Sequence, residues 1–214
     1  MNTSSLNKYF ESGEPFCAGK ISANLYNVIL TKYLKDSGQT NLSLYSDNKL
    51  FYYCNLVCSN DGIYPNEVPN VYRFCEVYKK CLLNVNLCAI WNQVPEYEKY
   101  LARKCEHIRL RELEPYYWDD QWTKFLENKK VLVISSKTSS IESQYKKKDK
   151  IWPNGTLPKF ELKTLEFPDA YYMIDEPLRE TYPKDCFELL DVYKAKVNEL
   201  DFDIMLVGAG VFGL

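Results

Sequence analysis

Three glycines near the end of the chain have a spacing that could serve nucleotide chemistry. They are arranged as Gly208-x-Gly210-x-x-Gly213 and follow an apolar run at residues 204–207. In a dinucleotide fingerprint, such glycines let backbone N–H groups approach a pyrophosphate where a strand passes into a helix. The fingerprint also needs that helix, a further strand and an acid about 20 residues later. None of these follows Gly213, so we do not expect NAD as a cofactor.

A second loop, SSKTSS at residues 135–140, has the composition of an anion site. It follows the apolar run 131–134, and Ser139 with Glu142 forms an S-x-x-E capping-box pattern that predicts the start of a helix. A helix N-terminus presents free N–H groups and a partial positive charge to an anion. The hydroxyl groups and Lys137 would complete a phosphate cradle. In the alternative interpretation, the serines only cap the helix and turn the chain.

Other common active-site groups are scarce or fit core positions. The single histidine, His107, lies in the alternating stretch HIRLREL, which is typical of a strand and weakens the case for a Ser-His-Asp triad. The closest cysteine spacing is C-x-x-x-C, which does not resemble a zinc site. Cys54, Cys58, Cys75 and Cys81 fall on helical apolar stripes. We therefore predict reduced cysteines that fill the core of a cytoplasmic protein.

The overall charge balance argues against a nucleic-acid-binding protein. The 214 residues include 27 basic and 29 acidic side chains, a net charge of −2, so no global field attracts nucleic acid or an anionic membrane. No run approaches the roughly 20 apolar residues of a membrane span, and the first residues lack the apolar core of a signal peptide. The lysine run at 146–150 is typical of a solvated helix end. Peripheral contact with a membrane would need a larger basic patch.

The pattern of apolar residues predicts one α/β domain over residues 1–214. Residues 1–85 are mainly helical in pattern, and residues 86–214 alternate between strand and helix. This order predicts a Rossmann-like, mostly parallel sheet with helices on both faces and a helical N-terminal segment. Helices are expected at about 25–37, with Ser22 or Asn24 as the cap, and at 47–59, 71–83, 96–104, 122–128, 139–147 and 184–200. Strands are expected at about 86–91, 107–113, 131–134, 160–167 and 201–210.

Several of these segments resemble the GT-D-like glycosyltransferase domains found among bacterial and viral polysaccharide-biosynthesis genes. The most specific block is residues 122–165, in which a strand, a loop, an S-I-x-x-Q-Y helix and an L-P-x-F-x-L strand follow one another. Similarity extends to PFCAGKISANLYNVILTKYL, NDGIYPN, FCEVYKKCLLNVNLCAIW and DFDIMLVGAGVFGL. In the family the chain continues beyond the last of these with a proline, a helix and more sheet. The resemblance therefore predicts that this sequence is a C-terminally truncated copy.

The resemblance implies transfer of a sugar from a nucleotide-sugar donor to a glycan or lipid-linked acceptor, often with Mn²⁺ or Mg²⁺. It puts the donor diphosphate near the two loops described above, which were identified from their own chemistry. The donor-binding residues expected on this basis are Lys20, Ser22, Asn24, Ser135, Lys137, Ser139, Ser140, Gln144, Gly208, Gly210 and Gly213.

The chain departs from the family where catalysis would need acids. The family's opening motif carries an arginine, a glycine and a carboxylate, whereas this chain has Lys20, Ser22 and Asn24. A neutral asparagine is a weak substitute for a hard carboxylate ligand. A base for the acceptor hydroxyl cannot be named from the sequence. Glu142 is the nearest carboxylate to the second loop, although its capping-box role would explain it. Trp91, at the end of a predicted strand, could stack on a base or sugar, or simply cover the sheet edge.

These observations leave three hypotheses. The first is an active glycosyltransferase. The second is a catalytically degenerate domain of the same fold that binds a nucleotide or acts as a scaffold. The third is an enzyme with a nicotinamide or adenosine cofactor that uses the glycines in the usual way.

Overall fold

The computed structural model describes residues 4–38, 46–90, 105–169 and 182–213. Within these residues, helices surround two three-stranded parallel sheets, which confirms the predicted α/β class. The helix expected at 96–104 and Trp91 lie outside the described residues. In the described part of the chain, no helix has the length and apolar character needed to cross a membrane.

The first sheet contains β1 (Ala18–Ile21), β2 (Leu87–Ile90) and β3 (Glu106–Arg109), in the order β1-β2-β3. Strand β1 was missed, because its identity depends on pairing with β2, so the N-terminal segment expected to be mainly helical also contributes a strand. The strand expected at 107–113 is only half right. Its second half forms the 3₁₀ turn Leu110–Leu113, and further 3₁₀ turns cover Pro115–Tyr117 and Trp122–Leu126.

The second sheet contains β4 (Lys130–Ser135), β5 (Glu161–Glu166) and β6 (Ile204–Gly208), in the order β5-β4-β6. The prediction that residues 131–134 form a central parallel strand is confirmed. A strand with a partner on each side and elements over both faces needs apolar side chains on both faces. Val131, Leu132 and Ile134 are accordingly buried.

Seven α-helices pack around the sheets within the described residues. They are α1 (Asn7–Ser12), α2 (Ala23–Asp36), α3 (Asp47–Asp61), α4 (Val68–Leu82), α5 (Thr138–Tyr145), α6 (Lys148–Ile151) and α7 (Cys186–Asn198). The predicted cap of α2 is confirmed, since the Ser22 hydroxyl accepts a hydrogen bond from the backbone N–H of Leu25. Helix α3 ends at Gly62, whose φ of 91° favours glycine.

The capping box predicted for α5 is wrong. The helix starts at Thr138, its N-cap residue is Lys137, and no side chain caps it. Glu142 instead accepts a hydrogen bond of 2.6 Å from the hydroxyl of Thr164 on β5. Because β5 lies alongside α5, the Glu142 carboxylate accepts from the Thr164 hydroxyl and not from a backbone N–H at the start of the helix.

One apolar core joins the two halves of the chain. It contains Leu25 and Cys88 from the first half together with Leu132 and Ile134 from the second. All eight cysteines lie in the described residues and all are free thiols, as predicted. Burial raises the pKa of Cys54 to about 11, as expected for an unreactive core thiol.

Replacing Leu132 by alanine tests the importance of the central strand. Leu132 is fully buried, so Leu132→Ala should lower the free energy of unfolding by about 3 kcal/mol through lost burial and the cavity left behind. Leu83→Ala is the matched control, because Leu83 is 57% exposed and should cost less than about 0.5 kcal/mol. Urea unfolding of both variants measures the difference. Equal destabilisation would contradict the central position of β4.

Candidate functional site

The two loops identified in the sequence meet at one edge of the second sheet. Strands β4 and β6 are neighbours, and their register pairs Ser135 with Gly208. A Cβ atom added at Gly208 would lie 3.7 Å from the carbonyl oxygen of Ile134 and 3.8 Å from the Ser135 hydroxyl. The carboxyl ends of parallel strands are where α/β proteins bind ligands. We therefore take this edge as the starting point of the candidate site.

Gly210 connects this edge to the end of α3. A Cβ atom added at Gly210 would lie 3.2 Å from the backbone oxygen of Asp61, and the φ of Gly210 is +60°. Both the close approach and the left-handed backbone favour glycine at this position. The loop after β6 thus packs directly against the last residue of α3.

Asp61 in turn contacts the residues that follow β1. Its Oδ2 atom accepts a hydrogen bond of 2.7 Å from the Ser22 hydroxyl and a longer one of 3.4 Å from the Asn24 side-chain amide. Both bonds go to Oδ2, and Oδ1 accepts none from the part of the chain that the structure describes. The carboxylate is therefore oriented by one oxygen while the other remains available. We call Ser22, Asn24, Asp61 and Gly210 the Asp61 cluster.

The environment of Asp61 opposes its charge. Burial raises the pKa of the Asp61 carboxyl, and the hydrogen bonds from Ser22 and Asn24 and the positive charge of Lys20 only partly offset this effect. Asp61 also lies in the last turn of α3, where the helix dipole disfavours an acid. The sequence alone did not indicate that this carboxylate contacts Ser22 and Asn24. An acid at the end of a helix, as in SNDG at residues 59–62, is a usable signal because the helix dipole disfavours it there.

The remaining predicted donor-binding residues lie at varying distances from the cluster. Lys137 is exposed and makes an ion pair of 2.7 Å with Asp169, which lowers the pKa of that carboxyl. Its backbone N–H donates to the Ser135 hydroxyl, so it stays at the end of β4. Ser139, Ser140 and Gln144 are exposed on α5. Gly213 closes the 3₁₀ turn Gly210–Gly213, where it packs against Val207.

Glu142 is not at the strand ends. Its hydrogen bond to Thr164 holds it over the interior of β5, since Thr164 pairs with Val133 in the middle of β4. This contact gives the side chain a structural explanation and offers no support for a role as a base. Two other carboxylates lie at the predicted loops: Asp169 pairs with Lys137, and Asp61 adjoins Gly210 through its backbone oxygen.

A resident metal site is not evident in the described part of the chain, where no group of three or more His, Cys, Asp or Glu residues could hold an ion. The Asp61 cluster offers one carboxylate together with the neutral oxygens of Ser22 and Asn24. Mg²⁺ is commonly held by one or two carboxylates plus substrate phosphates and water. The cluster therefore fits a cation that arrives with a phosphate ligand better than a permanently bound one.

A surface cavity of about 360 Å³ lies elsewhere, at the starts of β1 and β2. Its lining residues are Lys8, Tyr9, Ser12, Glu14, Pro15, Phe16 and Asn86. Residues 15–16 and 86 precede the two strands, so the cavity is at the amino ends of the first sheet. Because parallel sheets bind ligands at their carboxyl ends, we place the candidate site at the Asp61 cluster despite the size of this cavity.

Comparison with known proteins gave no match to any family model, curated protein or solved structure. The fold is that of a parallel α/β protein with a polar site at its strand ends. Function is therefore argued from the site itself.

Replacing Asp61 by asparagine should stabilise the protein at pH 7. Above the raised pKa of Asp61, the native state must hold a partly buried charge, whereas the unfolded chain holds the same charge in water. Stability contributed by this group therefore falls as pH rises from about 3.9, the unfolded pKa, through the higher folded pKa. An asparagine oxygen can still accept the hydrogen bonds from Ser22 and Asn24.

Urea unfolding of wild type and Asp61→Asn at several pH values measures this effect. The advantage of the variant should be full at pH 7 and should disappear below about pH 4. Asp191→Asn is the control, because Asp191 is highly exposed and its ion pair with Lys194 is long, 3.9 Å. A variant less stable than wild type at pH 7 would show that the hydrogen bonds outweigh burial.

Proposed function

We propose that the protein is a glycosyltransferase that moves a sugar from a nucleotide-sugar donor to a glycan or lipid-linked acceptor in polysaccharide biosynthesis. The single observation that favours this function is the meeting of three strand ends at one place. The ends of β1, β4 and β6 are linked through Ser22, Asp61, Gly210 and the Ser135–Gly208 pair. The resemblance to GT-D-like domains supports the same choice.

The donor diphosphate would lie over the ends of β4 and β6. Ser135, Lys137 and the start of α5, with Ser139 and Ser140, would supply hydroxyl groups, charge and helix N–H groups. Gly208 and Gly210 allow close approach to the backbone. Lys137 is paired with Asp169, but an exposed ion pair contributes only about 0–1 kcal/mol. A diphosphate could therefore displace Asp169 at little cost.

Asp61 would be incompatible with a bare diphosphate. A phosphate charge about 5 Å from this carboxylate would be repelled by roughly 3 kcal/mol at an effective dielectric constant of 20. A divalent cation held by the Asp61 carboxylate would remove that conflict by balancing the negative charges. Mn²⁺ or Mg²⁺ in this position would also neutralise the leaving diphosphate. Asp61 thus takes the place of the acid missing from the opening motif.

In the proposed reaction, an acceptor hydroxyl oxygen bonds to the anomeric carbon while the bond from that carbon to the diphosphate oxygen breaks. The hydroxyl proton leaves to solvent or to a group on the acceptor side. No described residue is assigned as the base, since Glu142 is bound to Thr164.

The second candidate is a degenerate domain that binds a nucleotide or serves as a scaffold. It is favoured by the single carboxylate of the Asp61 cluster, since no group of three or more acidic, His or Cys residues in the described part of the chain could hold a metal. The nicotinamide hypothesis receives less support. The turn Gly210–Gly213 buries Val211 and Phe212, so it does not present the open strand-to-helix turn of a dinucleotide fingerprint.

Thermal unfolding with candidate ligands tests the proposed function. UDP- or GDP-sugars with Mn²⁺, at a hundred times Kd, should raise the free energy of unfolding by about 2.7 kcal/mol. For a chain of this size the melting temperature should rise by roughly 5–10 °C. NAD should give no shift. A shift with NAD alone would contradict the proposal, and no shift with any nucleotide would favour a scaffold.

Asp61→Asn should abolish the part of this shift that depends on Mn²⁺ and leave the metal-independent part. Glu142→Gln is the matched control, since it removes a nearby carboxylate that is held by Thr164. It should keep the full shift. If Glu142→Gln lost the Mn²⁺-dependent part of the shift and Asp61→Asn kept it, Glu142 and not Asp61 would bind the cation. The same two variants can then be compared for release of nucleotide diphosphate.

A further inference from the structure

Five exposed lysines gather at the starts of β4 and β5. We call Lys129, Lys146, Lys147, Lys150 and Lys159 the lysine surface. None of their side chains makes an ion pair or hydrogen bond with the described part of the chain. The sequence run at 146–150 alone was too small for a membrane contact, but the fold adds two lysines that are distant in sequence.

Backbone hydrogen bonds bring these lysines together. The N–H of Glu161 donates to the oxygen of Lys129, and the N–H of Asn128 donates to the oxygen of Lys159, each over 2.9 Å. The Tyr145 hydroxyl donates to the oxygen of Phe160 over 2.8 Å and accepts from its N–H over 2.7 Å. The end of α5 is thus fixed beside the start of β5.

Two large apolar side chains adjoin the lysine surface. Ile151 is 43% exposed and Trp152 is 37% exposed, directly after Lys150. Two of the neighbouring acids are matched by other lysines, whereas Glu127 makes no ion pair with the described part of the chain and Asp203 accepts a hydrogen bond from the backbone N–H of Lys130. Asp149 pairs with Lys148, and Glu161 lies 3.6 Å from Lys163. The five lysines therefore keep their positive charge beside an exposed apolar tip.

We infer that the lysine surface, together with Ile151 and Trp152, binds membranes rich in anionic lipid. Lysines near such a surface are attracted to the lipid head groups, and tryptophan prefers the boundary between head groups and acyl chains. Nucleic acid would satisfy the lysines, but it offers no apolar layer for isoleucine and tryptophan. An anionic bilayer offers negative charge to the lysines and an apolar layer to Ile151 and Trp152. The surface lies at the amino ends of the strands, away from the Asp61 cluster, so the inference does not depend on sugar transfer.

Co-sedimentation with vesicles tests this inference. The protein should bind phosphatidylcholine vesicles containing about 30% phosphatidylserine and should not bind phosphatidylcholine alone. Binding should weaken as salt rises from about 0.1 to 0.5 M, because screening shortens the reach of the lysine charges. Equal binding to both vesicles, or none to the anionic ones at low salt, would overturn the inference.

Replacing three lysines of the surface tests the location. Lys146→Gln, Lys147→Gln and Lys150→Gln combined should lower the partition coefficient on anionic vesicles by about 100-fold, since each lysine is worth roughly fivefold. Lys80→Gln, Lys184→Gln and Lys194→Gln combined is the control, because these exposed lysines lie on α4, before α7 and on α7. Equal binding by the two triple variants would contradict the inference. Circular dichroism confirms that both remain folded.

Trp152 supplies an independent readout. Wild-type fluorescence should shift to the blue when anionic vesicles are added, and Trp152→Phe should lose most of that shift while keeping its charge-dependent binding. An unchanged shift in Trp152→Phe would overturn the placement of this residue in the membrane boundary. Tighter binding to a single-stranded oligonucleotide than to anionic vesicles would identify a nucleic-acid surface instead.

Discussion

The arrangement of the molecule depends on the packing of one short turn, Gly210–Gly213. Phe212 in this turn is buried, and its ring centroid lies 5.6 Å from that of Phe74 on α4 and 5.4 Å from that of Phe167 after β5. Aromatic contacts at these distances add to the burial of apolar area. Because Phe74 belongs to the first half of the chain and Phe167 to the second, the turn fixes one sheet against the other. Gly210 lets this turn lie against the end of α3, since a Cβ atom at this position would lie only 3.2 Å from the backbone oxygen of Asp61.

The candidate site is a consequence of that packing. The turn presses against the end of α3, and Asp61 at this end is held by Ser22 after β1. A partly buried carboxylate with a raised pKa in the last turn of a helix is unfavourable for stability. Carboxyl groups with shifted pKa values are enriched at functional sites. The hydrogen bonds that hold Asp61 beside the strand ends therefore support the choice of this cluster as the candidate site without use of the resemblance.

The sequence predicted those elements whose signals are local. Helices α2, α3 and α4 and the buried strand β4 follow from periodicity, capping residues and glycine, which act within a few positions. Strand β1 was missed because its identity depends on pairing with β2, almost 70 residues later. The bond between Glu142 and Thr164 was missed for the same reason, since a strand distant in sequence competes for the carboxylate.

The candidate site was predictable in part, for the same physical reason. The nearness of the loops after β4 and β6 follows once these strands are assigned as parallel neighbours, whereas the position of Asp61 depends on a contact with Ser22 that spans 39 positions. A parallel sheet also separates the two ends of its strands. The six residues of β4 span roughly 20 Å, well beyond the Debye length of about 8 Å at physiological salt. Charges at the lysine surface therefore exert little force on a ligand at the Asp61 cluster, and the two regions can act independently within one fold.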